Sequence, residues 1–148
     1  MSDVFTFLEK EYEETDEGED PIVPITINVN GKEHTIPAYA DTGCSSGIAI
    51  TKQMATKIGI TKEDRYSNRE VEVCLADGSI MGAYLYGLNI VINGRTFFKK
   101  IPIIEPDRFL GMAHNQDETT LLGRGIMDEF SVIFQGNCTP KKKLHFKY

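Results

Sequence analysis

Two Asn-Gly pairs, Asn30-Gly31 and Asn93-Gly94, and one Asp-Gly pair, Asp77-Gly78, each separate two runs rich in β-branched and aromatic residues. Both members of such a pair tolerate the positive φ that a two-residue hairpin turn demands, so each marks a strand turning back on its neighbour. Asn30-Gly31 joins "IVPITINV" to "EHTIPAYA", Asp77-Gly78 joins "REVEVCLA" to "SIMGAYLYGLNIVI", and Asn93-Gly94 leads into "RTFFKKIPII". A chain punctuated in this way is committed to antiparallel β structure. The long run before Asn93 has to bend, and Gly82 and Gly87 are the expected places.

Helical signals are few. "GIAIT" is a short apolar strand after which Thr51 caps a helix, "KQMATKI", stopped by Gly59. "EPDRFLGMAHNQDET" is an irregular stretch of the length usual for a functional loop. "TLLGRGIMDEF" reads as a buried strand running through Gly123 into a short helix, followed by "SVIF" and a last strand in "KLHFKY". The expectation is a mainly β chain with one or two short helices, closed or nearly closed into a barrel.

The 148 residues fit one domain with a core of its own. Residues 1–20 carry nine acids against Lys10, a net −8, so residues 21–148 hold +2 of the chain's −6. The division expected is an acidic, flexible segment over 1–20 and a folded domain over 21–148. Such a segment is a solvated tail, or it folds back on the basic "KKKLHFKY" or on a partner subunit. A near-neutral domain has no basic footprint for nucleic acid, and no apolar run is long enough to span a bilayer. Without a secretory signal at the N-terminus, a cytoplasmic location is the default. Cys44, Cys74 and Cys138 are odd in number and lack CxxC spacing, which argues for reduced thiols and against a disulfide framework or a zinc site. No cofactor is expected.

The chemistry concentrates in "YADTGCS". An apolar strand delivers Asp41 to a turn, Thr42 can lock that turn through its hydroxyl, and Gly43 permits close approach of another backbone or a substrate. An Asx-turn that merely ends a strand would look the same. Some eighty residues on, "LLGRG" brings a buried strand to Gly123, which has no side chain to fill the space beside it.

Together, Asp41-Thr42-Gly43 after an apolar strand and Leu122-Gly123-Arg124 entering a helix resemble the retropepsin-like aspartic proteases. Between the two motifs "EVCLADGSIMGAY" stands where that family has its flap hairpin, and "LYGLNIVI", Asn93-Gly94 and "RTFFKKIPII" follow in the family's order. The likeness covers about residues 22–135. It is greatest to single-lobed microbial members with a short helix after the catalytic loop, here "TKQMATKIG".

The resemblance implies a single-lobed closed β-barrel in which two strands cross as a ψ-shaped loop beneath the catalytic aspartate. It also implies a homodimer, because one chain carries one Asp-Thr-Gly and the mechanism needs two carboxylates on one water. Asp41, Thr42 and Gly43 would be catalytic, with Ala76, Asp77, Gly78 and Ser79 of the flap and Ser45 of the cleft on a polypeptide substrate. Leu122, Gly123 and Arg124 would support the site.

Two positions depart from the retroviral pattern. Cys44 and Ser45 stand where those enzymes have Ala and Asp, so Arg124 lacks the acid it would pair with, and the flap tip holds fewer glycines. Two other readings remain. Cys44 could be a nucleophile with His34, His114 or His145 as base, although a small buried thiol explains it as well. A retropepsin-like dimer could also serve as a non-catalytic peptide-binding or dimerisation module. Tyr84 and Tyr86 read as strand packing residues.

Overall fold

The computed structural model describes residues 7–15, 18–41, 44, 47–74, 80–104, 120–135 and 142–147. Its strands are β1 (Phe7–Glu11), β2 (Glu13–Thr15), β3 (Gly18–Asp20), β4 (Ile22–Val29), β5 (Lys32–Ala40), β6 (Ile48–Thr51), β7 (Val71–Cys74), β8 (Ile80–Ala83), β9 (Leu85–Ile92), β10 (Arg95–Ile104), β11 (Thr120–Leu122), β12 (Ser131–Gln135) and β13 (Lys143–Lys147). The helices are α1 (Lys52–Lys57) and α2 (Arg124–Met127), with a 3₁₀ turn at Lys62–Asp64.

Six strands close a barrel in the order β10-β6-β11-β5-β4-β9. Its framework is two hairpins. Asn30 and Gly31 have φ of 53° and 83° and turn β4 onto β5, while Asn93 and Gly94 at 51° and 80° turn β9 onto β10. The facing register Ile27↔Ile90 joins the hairpins across β4 and β9. Alternation then sends Ile25, Ile27, Ile90 and Ile92 inward, each no more than 1% exposed.

Closure falls to β11, which lies parallel to β5 on one side and antiparallel to β6 on the other. All three of its residues are buried, as expected for a strand covered on both faces. Leu122 belongs to the main core, and Leu121 faces a second cluster with Ala49 and Ile104. Because β5 and β6 are consecutive along the chain and β11 is inserted between them, the three strands form the ψ-shaped crossing. The Thr51 hydroxyl accepts from Met54 N at 3.3 Å and starts α1, and Gly59 leaves it with φ of 85°.

Two expectations change. The long run is not one strand: it breaks at Tyr84, where β8 leaves to pair with β7 and β9 enters the barrel. The Arg65 guanidinium lies 3.6 Å from the centre of the Tyr84 ring at that break. Gly87 serves a different purpose: a Cβ there would stand 2.7 Å from Phe98 Cζ, so its absence lets the ring lie against β9.

The second change concerns the acidic segment. Of its three readings, folding back on the basic C-terminus describes residues 7–11, since β1 pairs antiparallel with β13 in a sheet ordered β1-β13-β12. Glu19 meets Lys142 at 3.8 Å from the adjoining β2–β3 hairpin. A backbone ladder joins two stretches more than a hundred residues apart in sequence, and Leu144 and Phe146 of β13 anchor it in the core at 1% and 0% exposure.

Candidate active site

The end of β5 and the end of β11 arrive side by side at the crossing. Parallel pairing sets Leu122 against Ala40, so the residues that follow, Asp41 and Gly123, leave their strands together. Backbone bonds then stitch the two exits. Asp41 N donates to Leu122 O at 2.9 Å, Gly123 N to Gly47 O at 2.8 Å, and Arg124 N to Cys44 O at 2.8 Å. Cys44 N returns to Asp41 O at 3.1 Å, closing a tight turn directly after the acid.

The carboxylate residue is thus fixed at its backbone from both sides by main-chain groups that any side chain could supply. Only the bonding geometry is specific. Asp41 itself is half-buried, which leaves its carboxylate within reach of solvent.

Apolar residues support the loop from beneath and beside it. Cys44 packs with Tyr39, Val73 and Met81 against the Ala49, Ile104 and Leu121 cluster. Val73 and Met81 face each other across the β7–β8 ladder, so this hairpin is the element that lies beside the loop carrying Asp41. Gly47 is close-packed too, since a Cβ there would meet Ile126 Cγ1 at 3.2 Å.

The sequence-derived site residues fall into two groups. Asp41, Leu122, Gly123 and Arg124 come together as just described, with Leu122 fully buried and Arg124 exposed. Thr42, Gly43 and Ser45, and Ala76, Asp77, Gly78 and Ser79 of the hairpin tip, lie outside the described residues, as does His114. His34 sits near the start of β5, seven residues before Asp41, on the order of 20 Å along an extended strand. His145 sits in the terminal sheet opposite Ile133. The described residues do not assemble a Cys44–His34 pair.

Sequence reasoning missed the contributions of Tyr39, Val73 and Met81. The alternation in "REVEV" places Val71 and Val73 on one face, which is a usable signal for the second. No local signal marks the other two, because their contact with Cys44 depends on how the hairpin folds over the barrel.

No family model matches the sequence, and no curated protein matches it. Among solved structures, a retropepsin-like aspartic protease from Rickettsia conorii superposes with a TM-score of 0.51 over 96% of this chain and 98% of its own, at 20% identity. With the closed barrel, the ψ-shaped crossing and the hairpin beside it, this likeness defines the fold as retropepsin-like.

Proposed function

We propose that the chain is an aspartic endopeptidase whose active site forms between two copies. The observation that carries the reading is the position of Asp41, held by Leu122 O at the mouth of the ψ-shaped crossing with the β7–β8 hairpin packed alongside.

In the dimer, Asp41 of each copy faces the other across a two-fold axis. Like charges at close range cannot both ionise cheaply, so the pair holds one proton. The ionised member takes a proton from a water held between them as that water attacks the scissile carbonyl. The protonated member donates to the carbonyl oxygen and later helps deliver a proton to the leaving nitrogen. Thr42 and Gly43 hold the two carboxylates level, and an extended substrate adds as a strand beneath the hairpin tip formed by Ala76, Asp77, Gly78 and Ser79. Catalysis is expected to favour acidic to mildly acidic solution, because the shared proton must be retained.

The test compares wild type with Asp41→Asn on an unfolded protein substrate between pH 3 and 7, with and without a statine-type transition-state mimic. Cleavage that the mimic blocks and the substitution abolishes is the expected result. A folded dimer that binds peptide but cleaves nothing at any pH would overturn the proposal in favour of a binding module. A chain that stays monomeric at high concentration would overturn both.

A further inference from the structure

Away from Asp41, a cavity of about 280 Å³ opens at the root of the β7–β8 hairpin, lined by Tyr66, Ser67, Arg69, Glu70, Val71, Leu85 and Lys100. One wall is the loop that leads into β7, and the other comes from β9 and β10. The loop is tied to the barrel above it: Tyr66 N donates to Leu85 O at 2.7 Å, and Arg65 bridges to Tyr86.

The lining divides by chemistry. Tyr66, Val71 and Leu85 supply its apolar surface, and Tyr66 and Val71 are exposed at 54% and 37%. The Lys100 ammonium stands 4.0 Å from the centre of that ring, and Arg69 supplies a second cation. The Ser67 hydroxyl accepts from Arg69 N at 3.3 Å and shapes the turn between them. Glu70, the one acid in the lining, leans onto β8, its Oε1 3.2 Å from where a Cβ on Gly82 would sit.

A shallow concave site that sets apolar side chains beside two cations fits an apolar group that carries one negative charge. We propose that this cavity binds an arylalkyl carboxylate, its ring against Tyr66 and Leu85 and its charge between Lys100 and Arg69. A ligand seated there touches both walls at once, and so ties the entrance of β7 to β9 and β10 and restrains the hairpin. The inference concerns binding and does not require that the chain cleave peptides.

N-acetyl-phenylalanine and its neutral amide, titrated into the ¹⁵N-labelled full chain, test it. The acid is expected to shift amide signals of Tyr66–Val71, Leu85 and Lys100, and to bind up to about five-fold more tightly than the amide, the upper end for an exposed ion pair. The double substitution R69Q/K100Q, with circular dichroism confirming an unchanged fold, should remove that preference. Hydrogen exchange at Val71–Cys74 and Ile80–Ala83 should slow when the acid is bound.

Absence of shifts at these residues, equal binding of acid and amide, or a preference that survives R69Q/K100Q overturns the site. Binding with unchanged exchange in the hairpin overturns the restraint. The tripeptide Ala-Ala-Phe separates two sources of the same chemistry. Tighter binding than N-acetyl-phenylalanine identifies a peptide carboxyl terminus, equal or weaker binding a free arylalkyl acid, and either upholds the site.

Discussion

Leu122→Ala tests the crossing on which the candidate active site rests. The Leu122 side chain is 0% exposed in the main core, while its carbonyl accepts from Asp41 N. Truncation leaves that backbone bond in place and removes three carbons from a site enclosed by β5, β6 and the core. Leu→Ala changes at buried sites cost about 2–5 kcal/mol, and complete burial between two strands argues for about 3 kcal/mol here. For a domain of this size each kcal/mol lowers the midpoint by about 2–4 °C, so Tm should fall by about 6–12 °C.

Circular dichroism melts, paired with urea titrations at a fixed protomer concentration, measure the loss. Leu121→Ala is the internal comparison: Leu121 faces the smaller cluster with Cys44, Val73 and Met81, so its truncation should cost less stability but disturb the hairpin contacts more. A loss below about 1 kcal/mol for Leu122→Ala would mean that β11 does not fill the gap between β5 and β6, and the account of how Asp41 is positioned would fail with it.

Other consequences can be checked on the same protein. Thr51→Ala should cost about 1 kcal/mol in chemical denaturation by removing the cap that accepts from Met54 N. Gly94→Ala, at φ of 80°, should cost roughly 1–2 kcal/mol, since a Cβ is disfavoured there whatever the space around it. Among the described residues the buried Thr120 hydroxyl has no hydrogen-bond partner, so Thr120→Val should leave stability unchanged or raise it by up to about 1 kcal/mol. Burial pushes the Tyr12 phenol above its ordinary pKa, which favours the neutral form in the folded chain. Its contribution is therefore complete below the unfolded-state pKa and lost as pH rises through the folded one. Tyr12→Phe should flatten the alkaline arm of a stability-against-pH curve, and an unchanged arm would refute this.

The elements legible from the sequence are those whose causes are local. Asn30-Gly31 and Asn93-Gly94 turn their hairpins because positive φ is a property of the residues themselves, and period-two alternation tells which face of β4 and β9 goes inward. Thr51 and Gly59 bound α1 for the same kind of reason. Asp41 and the Leu122-Gly123-Arg124 segment could be picked out as a pair through their resemblance to a known motif, although nothing in either stretch alone states that one hydrogen-bonds to the other.

What only the tertiary structure decided depends on contacts between residues far apart. The break at Tyr84 sets its ring beneath Arg65, and Gly87 gains its meaning from Phe98. The acidic residues 7–11 become a strand only because β13 offers them a partner, and β13 is fixed by burying Phe146. The cavity at the hairpin root joins residues 66–71 to Leu85 and Lys100, groups that no local pattern relates. Turn chemistry and alternation act over a few residues and set where strands begin, reverse and face. Which strand lies beside which, and therefore what surrounds Asp41, is set by burial shared across the whole chain.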